Sequence, residues 1–397
     1  MHDRLVIAPR GIPSRKRGLA ALLGVAALVS ACTAARTQGP LAASAVPSTP
    51  SAVPSPVGAS WSPVTDLSAF GDGSVAAITL LGPKLVAVGS TPAGGKTTAG
   101  VWTSADGLSW TRAHDVPSFG QAEIDAVAGS GSRLVALGCP VGPEGCAGNP
   151  VARIWTSNDG VAWTPAAFSP GFDPTGRQYD AVTAGGPGYV AVGYDISGGF
   201  PQVPADASIV TSGDGSTWTP VAANPGFKAA TMGGVAAAGA TLVVVGQASN
   251  GAPAVWTSSD GQTWSRAATS GLPTDAEVRD VAGGGPGVIA VGREGGNAAS
   301  WTSTDGRTWR QGPPSGALAG ARMLHIVTTS RRFIAVGTVS DGSGAAWTSP
   351  DGTSWTKLDL GESFAGATVG AVGEMGGRTV VFGRTQAGKP IAVISAP

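Results

Sequence analysis

The chain has 397 residues, 62 of them Gly and 30 Pro, about 23% together, just short of the level at which composition alone implies disorder. Charged residues are 13%, and Lys+Arg and Asp+Glu both number 25, so the basic excess of a nucleic-acid binder is missing. Three Cys and three His exclude most zinc and iron–sulfur sites, which need clusters of these ligands, and no cofactor or metal is expected.

Arg4, Arg10, Arg15, Lys16 and Arg17 open the chain, and Leu19 to Ala31 is apolar (LAALLGVAALVSA). As a helix this run would rise about 20 Å, too short for a hydrocarbon core of about 30 Å. A basic region followed by a short apolar one reads as an export signal, residues 1–31. It ends in Leu28-Val29-Ser30-Ala31-Cys32, which resembles the lipobox of bacterial lipoproteins. That resemblance implies that Cys32 carries the lipid and that the protein is exported and anchored to the membrane on its extracytoplasmic side. Removing residues 1–31 takes five Lys/Arg and one acid from totals of 25 each, leaving 20 against 24, a net of −4. Such a surface is expected to have no net attraction for anionic lipid or nucleic acid. Residues 32–59 are Ala, Ser, Thr and Pro with almost no charge, a composition expected to form a disordered, semi-extended tether.

From Ser60 the chain is periodic. W-T-S-x-D-G-x-x-W runs from Trp102 to Trp110 and recurs from Trp155, Trp256, Trp301 and Trp347; a sixth copy starts at Val210. The starts are 53, 55, 46, 45 and 46 residues apart, the range of propeller blades. Each copy follows an apolar run ending in Gly, such as LVAVG at Leu85–Gly89 or FIAVG at Phe333–Gly337, and another small apolar strand precedes that run. Short β-branched runs bounded by turn residues read as buried strands, so each unit predicts four strands. Val369–Ser395 supplies only three, while Ser60-Trp61-Ser62-Pro63 matches an outer strand such as Thr217-Trp218-Thr219-Pro220. The prediction is an all-β, seven-bladed β-propeller over 60–397, closed by pairing N- and C-terminal strands, which removes open edges.

In the turn, Asp accepts backbone N–H groups and Gly supplies positive φ. The six turn aspartates, Asp106, Asp159, Asp214, Asp260, Asp305 and Asp351, are therefore expected to be structural. The two Trp of each unit are expected to supply much of the core. These repeats resemble the Asp-box, or BNR, repeats of sialidase-like β-propellers, with a turn one residue shorter than the common S-x-D-x-G-x-x-W. The family's Asp-box is a structural turn remote from the active centre.

Ligand sites on propellers usually use the face opposite these turns. Its loops here include Gln121–Asp125, Arg177–Asp180, Glu277–Asp280 and Arg322–His325. The resemblance implies, for a sialidase-type glycosidase, a carboxylate clamp of three Arg (Arg177, Arg279, Arg322), a Tyr nucleophile (Tyr179) assisted by Glu277, and Asp180 as acid/base. No motif ties these residues to the family's catalytic positions, no G-x-S-x-G elbow is present, and Gly-rich stretches such as Gly185-Gly186-Pro187-Gly188 lie between strands as hairpin turns. Cys139 and Cys146, in CPVGPEGC, are expected to form a loop-closing disulfide in an exported chain. The leading expectation is a monomeric, non-enzymatic surface platform for a protein or glycan partner; the alternative is an extracytoplasmic exo-sialidase-like glycoside hydrolase.

Overall fold

The computed structural model describes residues 60–396 apart from 114–115, 142–150, 198–204 and 286. Seven antiparallel sheets form a seven-bladed β-propeller. The inner strands, in blade order, are Ser74–Leu81, Ala122–Ser130, Arg177–Gly185, Ala230–Ala238, Glu277–Gly284, Arg322–Thr328 and Thr368–Met375. In blade 7, Trp61–Pro63 pairs antiparallel with Pro390–Ser395, in the register Trp61 to Ser395. The ring therefore closes inside residues 61–395, and the core clusters of the described residues lie within the same stretch.

The glycine that ends each second strand has a steric cause. Each inner strand carries a β-bulge at the same place, leaving Ala76, Asp125, Asp180, Gly233, Arg279, Leu324 or Gly370 without a cross-strand partner. The bulge pushes a carbonyl toward the second strand. A Cβ on Gly246 would lie 2.0 Å from the Thr231 carbonyl oxygen, and one on Gly138 would lie 1.9 Å from that of Glu123. Only glycine fits there, and its φ is not positive. In blades 2 and 3 the bulge residues, Asp125 and Asp180, line the central channel.

All six S-x-D-G turns have one geometry. The Ser104 hydroxyl donates to Asp106 Oδ1 at 3.1 Å and accepts from Gly107 N at 2.8 Å. Asp106 Oδ1 accepts from Leu108 N and Ser109 N at 2.8 and 2.7 Å. The carboxylate thus bonds two and three residues ahead. In blade 4, N–H groups of Thr263 and Gln262 hold the Asp260 carboxyl down at about 2.

The Trp pairs pack between blades. Trp102 and Trp110 of blade 1 cluster with Val380, Phe382 and Ile394 of blade 7, and Trp155 and Trp163 of blade 2 with Val86 and Val88 of blade 1. One buried apolar residue in each of five interblade 3₁₀ turns completes the pattern: Phe70, Phe119, Phe227, Leu318 and Phe364. Carbonyls in the first four turns accept the indole N–H of Trp102, Trp155, Trp256 and Trp347 at 2.7–3.0 Å. Sequence reading missed these residues; the signal was a lone Phe or Leu three or four positions before an inner strand. Blade 3 has five strands rather than the expected four, because Ala167–Phe168 adds in parallel beside Thr217–Trp218. There Val210 replaces the first Trp, and Phe168 and Phe172 pack against Val210 and Trp218.

Cys139 is buried; its expected partner Cys146, the anchor Cys32 and the segments 1–31 and 32–59 lie outside the described residues.

The steric account separates two glycines of blade 4. Gly246→Ala is expected to cost about 3 kcal/mol or more, since the Cβ meets backbone on a shared ladder. Gly239→Ala, at φ 58° with nothing within 4 Å, is expected to cost about 1 kcal/mol for its backbone conformation alone. Urea midpoints of the two variants check the order; equal losses would remove the close-approach explanation.

Candidate ligand-binding face

The first strand of every blade begins on the face opposite the S-x-D-G turns, so five bulge residues (Ala76, Asp125, Asp180, Gly233 and Gly370) line the channel mouth there, while blades 5 and 6 contribute the next residues, Asp280 and His325. A cavity of about 240 Å³ occupies this mouth, with Asp125, Asp180, Asp280 and His325 in its wall. Alanine and glycine at the equivalent places (Ala76, Gly233, Gly370) leave the opening clear.

Asp180 is held by a short relay. Tyr194 donates its hydroxyl proton to Gln178 Oε1 at 2.8 Å, and Gln178 Nε2 donates to Asp180 Oδ1 at 2.8 Å. Burial in the channel wall pushes the Asp180 carboxyl up to about 6, against the Gln178 hydrogen bond and with help from the Asp125 charge. Burial likewise lifts Asp125 to about 6, and the Glu123 charge adds to it. Asp180 therefore feels the Asp125 charge of the neighbouring blade. Asp280 is spent differently: Oδ1 accepts from Val281 N at 2.8 Å, and Oδ2 from Ile326 N of blade 6 at 3.0 Å. His325 Nδ1 lies 3.6 Å from Asp280 Oδ2, and this carboxylate raises the His325 pKa against the opposing effect of burial.

Three arginines of this face, Arg177, Arg279 and Arg322, are already engaged. Arg279 and Arg322 both bond Glu277 Oε1. Arg177, two blades away from Glu277 and three from Arg322, pairs with Asp195 at 2.7 Å and lies over the Phe172 ring at 4.8 Å. Of the six residues assigned to glycosidase roles, the fold thus unites Glu277, Arg279 and Arg322 in one ionic cluster and keeps Arg177, Tyr179 and Asp180 in blade 3. Tyr179 is buried, its hydroxyl 3.2 Å from Ser208 Oγ, and burial pushes its pKa up to about 12. A carboxylate clamp needs guanidinium groups facing one empty point; two of these share one glutamate and the third has its own aspartate. Sequence reading named the loops that carry Asp125, Asp180, Asp280 and His325 but not Tyr194, which sits on a second strand and bonds Gln178, nor the closeness of Asp125 to Asp180 on adjacent blades.

No family model and no curated protein matches the chain. Solved structures do. YCF48 bound to D1 peptide is 15% identical, with a TM-score of 0.53 over 82% of this chain and 93% of that one. Uncomplexed acylaminoacyl peptidase of Pyrococcus horikoshii is 7% identical, TM-score 0.52, over 79% of this chain and 49% of that one. Trypanosoma rangeli sialidase in complex with sialic acid is 16% identical, TM-score 0.42, over 81% and 53%. At such identities the likeness is one of fold, and the chain spans about half the length of the peptidase and the sialidase.

The raised Asp180 pKa has a thermodynamic sign. Its folded value lies above its unfolded one, so stability falls as pH rises from about 4 to about 6 and stays reduced above that window. Asp180→Asn, which keeps an acceptor for Gln178, is expected to stabilise the fold by about 1–2 kcal/mol at pH 7.5 and to have no effect at pH 4. Denaturant titrations at the two pH values check this; a loss of stability at neutral pH would show that the carboxylate is held in its charged form.

Proposed function

We propose that the protein is an exported, lipid-anchored surface protein whose propeller is a binding platform, and that the channel mouth receives a basic segment of a partner protein. The observation that carries this reading is the charge arrangement of the mouth. Asp125 and Asp180 crowd together there with no cation among the described residues assigned to them, while Arg177, Arg279 and Arg322 are committed to acids of their own. A Lys or Arg side chain entering the mouth relieves the repulsion between the two carboxyls and lowers their pKa values. The fold-level likeness to YCF48 bound to D1 peptide is consistent with a protein ligand. Sialidase-type chemistry is the less favoured reading, since its anionic sugar would meet acidic walls and no free arginine clamp. In the same reading Cys32 bears the anchor, a Cys139–Cys146 disulfide closes the 139–146 loop, and the propeller acts as a monomer.

Two experiments test the reading. The propeller, residues 60–397, is titrated with matched peptides rich in Lys/Arg or in Asp/Glu. Binding of the basic set is expected, and Asp125→Asn/Asp180→Asn is expected to weaken it by about tenfold or more. Equal binding of both sets, or turnover of a fluorogenic sialoside, would overturn the platform assignment. Separately, Cys32→Ala is expected to move the full chain out of the membrane fraction, and retention there would sink the anchor.

A further inference from the structure

The fold sorts charge that the composition averages to a net acidic surface. Acids crowd the channel mouth described above, whereas the opposite end of the inner strands is basic. The hairpins joining first and second strands there carry Lys84 in blade 1, Arg133 in blade 2, Arg331 and Arg332 in blade 6 and Arg378 in blade 7. These are four consecutive blades around the closed ring. None of the five has a carboxylate within ion-pair distance among the described residues: Lys84 donates to the Asp159 carbonyl and Arg133 to Ser216 Oγ, and their charges help lower the pKa of the turn carboxylates Asp159 and Asp214. Arg331 reaches over Gly377 in the hairpin of the next blade, which places it beside Arg378. The nearest inner acid, Glu374, is bonded by Ser330 N and Oγ at 2.6 and 2.5 Å. Turn aspartates share this face, further out, with Oδ1 taken up by backbone N–H groups.

Two further observations fall on the same arc. Among the described residues, the exposed large hydrophobic ones are Leu80, Leu108 and Val161, at 44%, 38% and 45% exposure, all in blades 1 and 2 on the S-x-D-G face. The chain also joins the ring there. Ser60 accepts from Ala396 N at 3.0 Å, and Ser395 Oγ accepts from Thr379 N, next to Arg378, at 3.0 Å. Gly107 of the Leu108 turn packs on Ile394 of the closing strand. Cations on flexible stems, protruding aliphatic side chains and the point where a membrane tether emerges thus coincide.

We infer that the S-x-D-G face of blades 6, 7, 1 and 2 docks on an anionic lipid surface, which turns the acidic mouth away from the membrane. A lipid chain combined with a basic patch is the pairing that makes surface attachment stable, and each Lys or Arg near such a surface strengthens attachment about fivefold. The orientation rests on the anchored reading above, but the docking surface is measurable without the anchor.

The test uses the unlipidated propeller, residues 60–397, sedimented with vesicles of phosphatidylcholine alone or with one-third phosphatidylglycerol. Binding to the anionic vesicles, released by high salt, is expected. Arg331→Glu/Arg332→Glu/Arg378→Glu is expected to lower it about tenfold or more, and Leu108→Ser/Val161→Ser is expected to lower it further. Lys228→Glu, on the opposite face, is expected to leave it unchanged. Should the triple variant fail to fold by circular dichroism, Lys84→Gln/Arg133→Gln decides in its place. Equal partition into both vesicle types, no binding to either, or charge variants that bind like the parent would overturn the inference. Failure here with Cys32→Ala still releasing the full chain leaves the anchor standing; the reverse result leaves the docking face standing without it.

Discussion

The contact on which the ring depends is the approach of each second-strand glycine to a carbonyl of the bulged inner strand. Gly89, Gly138, Gly193, Gly246, Gly292, Gly337 and Gly383 all occupy it. It lets the inner strand kink against its neighbour without separating from it. At the channel the bulge places Asp125 and Asp180 in the wall of the mouth in blades 2 and 3. Packing between blades is then supplied by the indoles and by the apolar residue of the interblade turn. Site and scaffold thus share one cause: the bulge that needs glycine behind it is the bulge that presents Asp125 and Asp180.

Much of the ring was legible because its signals repeat. W-T-S-x-D-G-x-x-W occurs with small variation, so a reading wrong in one blade is corrected by the others, and the odd match at Trp61 located the closure. Blade 3 shows the limit. Position 210 is Val in place of Trp, two phenylalanines of the preceding linker pack against the same core cluster, and nothing in local periodicity links those segments. The glycine at the end of each apolar run was visible as a letter, but its cause lay in the strand opposite, at a bulge that a pattern of small residues does not announce.

The mouth was less legible for a related reason. Its residues come from single positions on separate blades, so spacing along the chain carries no trace of their meeting. Arg177 and Arg322 look equivalent in sequence, each opening an inner strand, yet one finds Asp195 across its own hairpin and the other finds Glu277 on the neighbouring blade. Such partner choice is settled by side-chain reach across strands and interfaces. Net charge misled similarly, since equal totals of 25 basic and 25 acidic residues conceal an acidic mouth and a basic arc on opposite faces.

The closing pair of strands also sets an order of events. Trp61–Pro63 is among the first parts of the ring to be synthesised, yet its partner, Pro390–Ser395, is among the last. Blades 1 to 6 can each form from contiguous chain, whereas blade 7 must wait for the C-terminus, the slow kind of contact in folding. Until then the outer edge of the last blade and the flank of the first stay uncovered. A truncated product lacking the last strand would keep an open edge, and so would be marked for aggregation or degradation rather than persist as a partial ring.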